Sequence, residues 1–375
     1  MLKHHIFLVP GFFGFANFGD FKYFAHVRDH LERWAQTRGV EVEVHYAPTY
    51  PTASLRRRAG RLVEVIAQHA AHDEGAIHLV GHSTGGLDAR LAVAPGASLV
   101  SAVDPEPYSA RVRSVVAVSS PHYGAPTAAF FTSLLGQRLL FLLSLTTIHA
   151  IRLGTIPLPV FVVLASALGS AGGGRLVAGG VIEQVYDLVL KDFDRKRRVQ
   201  IEGFFEEVRR DQTLLVQLTP EGMDVVNALA TQRSGIRCGC VVSQARPPSY
   251  KGNLRMGINP THQAMYGVYR GLYQLASTLP DRFLPEPSPS PRAALVEAFG
   301  SFPTPETNDA MVPVLSQVWG DVVHAAWADH LDVIGHLDDR DHTPIHVDWM
   351  RSARSFRRPH FERMWDSVME YMITA

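Results

Sequence analysis

Cysteine is scarce in this sequence, and charge of one sign is not in excess. The chain has 375 residues with only two cysteines, and its 36 lysines and arginines balance its 36 aspartates and glutamates. Nucleic-acid-binding domains are strongly basic, so a formal net charge of zero argues against a nucleic-acid partner. The short basic runs at 56–58 and 196–198 are interpreted as solvated surface rather than as polyanion sites.

Cys238 and Cys240 stand two positions apart in the strand-like segment GIRCGCVVSQA. Residues at this spacing point the same way but lie too far apart to bridge comfortably, so no disulfide is expected. No histidine stands at zinc-finger spacing from them, which argues against a structural zinc site of that kind. Two unpaired cysteines suit a reducing compartment.

A secretory signal and a membrane span are also missing from the pattern. The first apolar run is only four residues long before it meets Pro10 and Gly11, which is too short for a signal peptide. The uncharged run at 139–151 is too short to span a bilayer, and the run at 156–174 contains two prolines. We expect a cytoplasmic protein, with export by a signal-independent route left open.

What the sequence does contain is an alternation of strands and helices. Short apolar or alternating segments predict strands, and apolar residues at helical spacing predict the helices between them. Such alternation is typical of a parallel sheet with crossover helices. The predicted strands are 5–10, 40–46, 76–80 and one that begins at 112, and the predicted helices are 21–38, 54–71 and 84–94.

The alternation stops between 127 and 234, where the chain is helical in character and unusually apolar. We interpret this block as a helical cap over an apolar pocket, and an ordinary buried helical insertion is the alternative. The flanking segments 1–126 and 235–375 are predicted to form the two halves of one α/β core. The second half is predicted to contain a strand at 236–245, a helix at 261–277, a Pro/Ser-rich surface linker at 284–292 and an amphipathic helix at 358–372.

One serine stands where a strand gives way to a helix. The segment AIHLVGHSTGGLDARLA runs from a buried strand through Gly81, Ser83 and Gly85 directly into a helix. Gly-x-Ser-x-Gly in this context places the serine on a tight, strained turn, and the first N–H groups of the helix can stabilise an oxyanion above it. We therefore predict that Ser83 is a nucleophile. The alternative is a glycine-rich phosphate-binding turn, but the Lys-[Ser/Thr] ending of a P-loop is lacking.

A second oxyanion donor is expected at the end of another strand. In LVPGFFGF a strand stops at Pro10 and Gly11, which leaves the N–H group of Phe12 to point at the site. A plain tight turn is the alternative. Phe12, Phe13 and Phe15 are also expected to form an apolar wall.

The general base and the acid that orients it are expected in the chain order Ser, Asp or Glu, His. Asp309 lies in the polar turn of PETNDAMVPVLSQ and His330 lies in WADHLDVIG, so the two fit neighbouring loops at one end of the sheet. His82 is expected to point away from the turn that carries Ser83. Asp332 is too near His330 in sequence to reach the far ring nitrogen. The other rival histidines are His122, His324 and His336.

Together these segments resemble those of bacterial true lipases of the α/β-hydrolase superfamily. LVPGFFGF, HLVGHSTGGLDARLA, VAVSSPHYGAP, TNDAMVPV and DHLDVIG follow the order found in that family, and the resemblance covers 3–126 and 235–335. It implies an α/β-hydrolase fold with a helical lid at 127–234. It also implies that Ser83, Asp309 and His330 are nucleophile, acid and base, and that the amides of Phe12 and Thr84 form the oxyanion hole.

The sequence departs from the family pattern at several positions. Pro10 and Gly11 replace the usual His-Gly, which leaves the donating amide unaffected. Many members bind calcium near the catalytic histidine, and Asp332 matches one ligand position. However, His336 stands where a neutral amide is typical, and PEPSPSPR supplies no clear second carboxylate. Members are usually exported and often hold a disulfide, and this chain shows neither feature.

The function predicted from these features is that of a carboxylic ester hydrolase. It acts on fatty-acyl lipid esters through an acyl-enzyme on Ser83, as a triacylglycerol lipase does, and needs no redox cofactor. The apolar cap favours a fatty-acyl substrate and contact with a lipid interface. Alternatives on the same triad are a phospholipase A and an acyltransferase that excludes water. A non-catalytic lipid-binding protein would have no need of the triad.

Overall fold

The computed structural model describes residues 2–12, 23–153, 155, 157–169, 179–338, 348, 350–352 and 356–375. Phe13 and Phe15 of the expected apolar wall, and the first two residues of the helix predicted at 21–38, lie outside this set.

A parallel sheet of six strands forms the centre of the described structure, in the order β2-β1-β3-β4-β5-β6. Every neighbouring pair runs parallel, as the alternating sequence pattern predicts. Parallel strands bring their carboxyl ends to one edge of the sheet, where loops meet. The strands are β1 His4–Val9, β2 Val42–Tyr46, β3 Ala76–His82, β4 Val112–Val118, β5 Arg237–Gln244 and β6 Asp321–Trp327.

Fifteen α-helices connect and cover the strands within the described residues. In the first half these are α1 Val27–Arg38, α2 Leu55–Ala70, α3 Thr84–Ala92 and α4 Glu106–Ser109. Between β4 and β5 lie α5 Pro126–Phe131, α6 Leu134–Leu153, α7 Leu158–Gly169, α8 Gly179–Leu190, α9 Arg195–Arg210, α10 Thr213–Gln217 and α11 Pro220–Leu229. After β5 come α12 Tyr250–Arg255, α13 Pro260–Ala276, α14 Pro289–Phe299 and α15 Arg358–Ile373.

Two helix boundaries differ from the sequence prediction. α1 begins at Val27 rather than at residue 21, because His26 has a φ of 61° and this left-handed backbone does not continue a helix. The segment 284–292 is not a linker throughout, since Pro289 opens α14. Proline suits the first turn of a helix, where its missing N–H group is not needed. The Pro/Ser-rich segment therefore contains both a surface loop and the start of a helix.

The four inner strands β1, β3, β4 and β5 are buried on both faces, which explains why they are rich in consecutive apolar residues. Ile6 and Leu8 of β1 pack with α1 and α15, whereas Phe7 and Val9 pack with α2 and α3. Successive residues of a strand point to opposite faces, so one short segment contributes to both halves of the core.

Both cysteines lie on β5 as buried, free thiols, in agreement with the expectation that they do not form a disulfide. Burial raises the pKa of the Cys238 thiol to about 11 and that of the Cys240 thiol to about 12. Both are therefore protonated at neutral pH, and their role is to fill the core.

The helices between β4 and β5 pack on one another and on α13. α7 approaches α13 closely, because a Cβ atom at Gly271 would lie 2.5 Å from the Cβ atom of Leu168, and one at Gly267 would lie 2.9 Å from that of Ala165. The two glycines are one turn apart and form a notch that receives α7. Among the helices of the described residues, none is both long enough and apolar enough to cross a membrane.

Candidate active site

Ser83 lies at the turn between β3 and α3, with a φ of 54° and a ψ of −126°. A non-glycine residue at positive φ is strained, and such strain is found at functional sites. The Ser83 N–H group donates to the carbonyl oxygen of Val118 at 2.8 Å, which ties the strained turn to the end of β4. The side chain lines an apolar pocket at the carboxyl end of the sheet.

Three glycines make this turn sterically feasible. A Cβ atom at Gly81 would lie 2.2 Å from backbone atoms of Gly85, and one at Gly85 would lie 2.2 Å from the carbonyl oxygen of Val9. A Cβ atom at Gly86 would lie 2.1 Å from the Ser120 hydroxyl. Each of these approaches excludes a larger residue, so the glycines allow α3 to start immediately above the sheet.

Asp309 and His330 lie side by side, as their chain order predicted. His330 Nδ1 is 2.8 Å from Asp309 Oδ2, and both side chains are buried. Because a carboxylate only accepts, Nδ1 carries the proton, and the lone pair of the neutral ring is on Nε2. His330 and Ser83 line the same pocket. A neutral imidazole held in this tautomer can act as a general base.

The Asp309 carboxylate is held on both oxygens. The N–H groups of Met311 and Val312 donate to Oδ1 at 2.9 and 2.7 Å. The Ser243 hydroxyl donates to Oδ2 at 2.9 Å, and Gln317 Nε2 donates to it at 3.3 Å. These donors fix the direction of the carboxylate toward His330. Sequence reasoning missed both residues, although Gln317 ends the same segment that contains Asp309 and Ser243 lies on the predicted strand at 236–245.

The sequence predicted that His82 points away from the active-site turn. In the structure it does not. Its Nε2 is 2.9 Å from the carbonyl oxygen of His330, which only accepts, so Nε2 carries the proton. Nδ1 therefore accepts from the Tyr23 hydroxyl at 2.6 Å, and the Tyr23 oxygen accepts from the Gly11 N–H group at 2.9 Å. Burial holds the pKa of His82 well below its ordinary value, so the ring is neutral. The chain of bonds joins the turn after β1 to the loop that carries His330.

The two expected oxyanion donors lie at the same pocket. Phe12 and Thr84 both line it together with Ser83 and His330. Thr84 is the first residue of α3, and the first N–H groups of a helix have no partner within the helix. The structure thus brings together all five residues that the sequence singled out.

A buried ion pair lies next to the backbone that precedes Phe12 and to the side chain of Thr84. Arg58 and Asp88 are both fully buried, and Arg58 Nη2 is 2.6 Å from Asp88 Oδ2. The same nitrogen is 3.3 Å from the carbonyl oxygens of Pro10 and Gly11 and from Thr84 Oγ1. Arg58 thereby connects the turn after β1 to the start of α3. The basic run 56–58 was predicted to be solvated surface. This prediction is wrong for Arg58.

The rival histidines have other partners. His336 Nε2 donates to the carbonyl oxygen of Tyr23 at 2.8 Å. His324 Nδ1 is 3.2 Å from the Ser367 hydroxyl, and the buried His122 ring stacks on Trp319 with 5.1 Å between centroids. Among the described residues neither ring nitrogen of His122 has a hydrogen-bond partner, and His336 also lines the pocket.

The pocket above Ser83 is lined mostly by apolar side chains. One wall comes from α6, including Leu140, Leu143, Ser144 and Thr147. The two hydroxyls donate to carbonyl oxygens of their own helix, Ser144 to Leu140 at 2.6 Å and Thr147 to Leu143 at 2.9 Å. The polar atoms of this wall are thus satisfied within the helix, so the wall can accept an alkyl chain without leaving a donor unpaired. Other apolar lining residues are Phe131, Leu215, Leu218, Leu272, Met311 and Ile334.

Three buried aspartates form a cluster beside His330. Ligand atoms of Asp329, Asp332 and Asp348 lie within 4.8 Å of one another. Two of these carboxylates lie in the loop after β6 and the third is that of Asp348, so none of them comes from 284–292. His336 is engaged with the backbone of Tyr23 and is not in the cluster. Oxygen-only donors of this kind suit a hard cation such as calcium.

No family model and no curated protein sequence matches this chain. Solved structures of bacterial lipases and esterases are similar to it. Lipase 1 from Pelosinus fermentans has a TM-score of 0.51 at 16% identity over 99% of each chain. The Staphylococcus hyicus lipase has a TM-score of 0.50 at 16% identity over 99% of this chain and 95% of its own. EstA from Clostridium botulinum has a TM-score of 0.51 at 16% identity over 98% of this chain and 87% of its own. The likeness is one of fold, and the chain therefore has the α/β-hydrolase fold that these lipases and esterases share.

Proposed function

We propose that this protein is a serine carboxylic ester hydrolase that acts on fatty-acyl lipid esters. The observation that carries the proposal is the hydrogen bond between His330 and Asp309, at the pocket where Ser83 occupies a strained turn. Acid, base and nucleophile in this arrangement perform acyl transfer on several unrelated folds. The likeness in fold to lipases and esterases raises the expectation of this chemistry, by analogy.

In the proposed mechanism His330 Nε2 takes the proton of the Ser83 hydroxyl as its oxygen attacks the ester carbonyl. The tetrahedral oxyanion accepts from the amides of Phe12 and Thr84. His330 then gives the proton to the departing alcohol, which leaves an acyl-enzyme on Ser83. A water molecule, deprotonated by His330, attacks this ester, and His330 returns the proton to the Ser83 oxygen as the fatty acid is released. Asp309 accepts the hydrogen bond of His330 Nδ1 and stabilises the imidazolium.

The apolar pocket supports an alkyl substrate. Burial of an alkyl chain contributes about 0.8 kcal/mol for each methylene group, so a pocket lined by α6 and its neighbours favours longer acyl groups. We propose that the helical segment 127–234 acts as the cap of this pocket and provides contact with a lipid interface. A rate profile over acyl-chain length, measured with and without emulsified lipid, tests this part of the proposal.

The catalytic assignment is tested by substitution. Ser83→Ala and His330→Ala should each lower kcat toward p-nitrophenyl acyl esters by at least about a thousandfold. His324→Ala, which alters a histidine outside the pocket, is the matched control and should keep the parental rate. If Ser83→Ala or His330→Ala hydrolyses the ester at the parental rate, the assignment is wrong. Products formed with an added alcohol distinguish hydrolysis from acyl transfer.

We also propose that Asp329, Asp332 and Asp348 hold a calcium ion that stabilises the His330 loop. The residues fit this ion, because three buried carboxylates close together need a cation to offset their repulsion. Chelation should lower the Tm of the parent protein, and calcium should restore it. Asp332→Asn should show a smaller response to chelation, whereas an equal response in both proteins contradicts the assignment.

A further inference from the structure

Histidine and carboxylate side chains gather at the end of the sheet opposite Ser83. In the register of β1 and β2, His5 pairs with Glu43 and Phe7 pairs with His45. Alternate residues of a strand share a face, so His5, Glu43 and His45 project on the same side of the sheet. The group lies near the start of β1, whereas the catalytic residues follow the strand ends.

The three side chains point their ligand atoms at one another. His5 Nδ1 is 3.0 Å from His45 Nε2 and 3.8 Å from Glu43 Oε2, and His45 Nε2 is 4.0 Å from Glu43 Oε1. In a tetrahedral zinc site with bonds of about 2.0–2.2 Å, neighbouring ligand atoms are roughly 3.3–3.6 Å apart. The observed separations bracket this spacing, so small side-chain rotations suffice to place all three atoms around one ion.

Asp73 fixes the tautomer that a metal needs at His5. His5 Nε2 is 2.8 and 2.9 Å from the two carboxylate oxygens of Asp73. Because these oxygens accept, Nε2 carries the proton, and the lone pair of the neutral ring is on Nδ1, which faces His45 and Glu43. A carboxylate behind the ring is the usual support of a metal-ligating histidine.

His45 also suits the role of a neutral ligand. Without a metal, the Nε2–H group of His45 donates a hydrogen bond to His5 Nδ1. Binding requires only that this proton moves to the other ring nitrogen of His45, with no net change in charge.

Lys3 competes for the carboxylates of this group. Its Nζ atom is 2.6 Å from Glu43 Oε2 and 3.3 Å from Asp73 Oδ2. The Lys3 side chain is one-third exposed, so it can swing into solvent when a dication binds Glu43. Removal of the ammonium group should therefore increase the affinity of the site for a cation, because its repulsion is lost.

We propose that His5, Glu43 and His45 bind a zinc ion that links β1 to β2, with water completing the coordination. Two imidazole nitrogens and one carboxylate oxygen form a donor set that zinc accepts readily. The site is separate from the Ser83 pocket and from the aspartate cluster. Its proposed role is to stabilise the pairing of two strands at the edge of the sheet.

The test is a calorimetric titration of the full-length protein with zinc chloride, with calcium in excess to occupy the oxygen-only cluster. The parent should bind one zinc ion per chain, and its Tm should rise. Glu43→Gln and His45→Ala should each weaken binding by at least about a hundredfold, and Asp73→Asn by about 10–100-fold. Lys3→Met should bind more tightly than the parent.

His4→Ala is the matched control, because His4 is adjacent in the chain but bonds to His78 instead. It should bind zinc as the parent does. Glu43 is half exposed, so Glu43→Gln serves even where a buried histidine variant fails to fold. The site is excluded if the parent binds no zinc, or if Glu43→Gln and Lys3→Met both bind it with parental affinity. Because the readout is binding, a failed esterase assignment does not affect the result.

Discussion

His82 bonds to His330, which lies 248 positions further along the chain. Its ring contacts that of His330, with 4.6 Å between centroids, and its hydrogen bonds reach His330 on one side and Tyr23 on the other. Neither His82 nor Tyr23 contributes a reacting atom to the proposed mechanism. Both instead hold the backbone of His330 and the turn before Phe12 in fixed positions, which is how supporting residues make a site precise.

Tyr23→Phe removes the hydroxyl that joins Gly11 to His82. Burial raises the pKa of this hydroxyl, so it is protonated and available as a donor at neutral pH. We expect kcat for an acyl ester to fall about tenfold, which corresponds to roughly 1.4 kcal/mol of transition-state stabilisation. The free energy of unfolding should also fall by about 1–3 kcal/mol, because the Gly11 amide and His82 Nδ1 lose a buried partner.

Tyr46→Phe removes a hydroxyl outside this chain of bonds and is the control for the Tyr23 variant. Steady-state kinetics and urea unfolding of the two variants, measured side by side, give both quantities. A parental kcat for Tyr23→Phe would mean that the position of the Phe12 amide does not depend on this network.

At the scale of elements, the contact between α7 and α13 holds the segment between β4 and β5 against the core. Gly267 and Gly271 make the contact close, because α7 fills the space that a side chain would need. Leu272 of α13 lines the pocket, as does Thr147 of α6. The position of the proposed cap therefore depends on α13, the helix that carries the notch formed by Gly267 and Gly271.

Gly271→Ala should destabilise the protein, although alanine favours a helix. Its Cβ atom would lie 2.5 Å from that of Leu168, so one helix must move, at a cost of about 1–3 kcal/mol. Gly203→Ala on α9 has open space around it and should stabilise by about 0.5–1 kcal/mol. Urea unfolding of the two variants measures the difference. Equal stabilisation by both would show that α7 does not pack on α13 as described.

At the scale of the whole molecule, buried neutral histidines make stability depend on pH. Burial lowers the pKa of His45 and of His336 to about 4 and that of His78 to about 3. The unfolded chain binds protons at these residues from about pH 6.5 downward, whereas the folded chain does not. Stability is therefore highest above this pH and is lost as the pH falls toward the folded-state values.

We expect the free energy of unfolding to fall between about pH 6.5 and pH 5, with each such histidine contributing up to about 1.4 kcal/mol per pH unit. His336→Gln keeps a donor for the Tyr23 carbonyl and removes one titrating ring, so its stability should fall less steeply. Urea unfolding at a series of pH values, with calcium held constant, gives the two slopes. Identical slopes would contradict a neutral His336 in the folded protein.

The parts of the site that the sequence predicts are those that local pattern and chain order define. The strand, glycines and helix around Ser83 lie within one segment, and Asp309 and His330 follow from the order of the triad. Ser243 and Arg58 were not predictable in the same way. Ser243 meets Asp309 across 66 positions, and Arg58 meets Asp88 across 30, so only the folded chain brings them together. The strained φ of His26 has no sequence signal either, which is why α1 was predicted to begin too early.

The order of the strands also determines when the site can form during synthesis. Ser83 follows β3 at the centre of the sheet, whereas His330 follows β6 at its edge, and α15 packs against both β6 and α1. Ser83, the proposed nucleophile, therefore leaves the ribosome long before His330, its proposed base, and His330 cannot be positioned until β6 has been made. Contacts between such distant segments form slowly. Appearance of esterase activity would thus mark the last folding step, and a nascent chain that ends before β6 should be inactive even when its first three strands are paired.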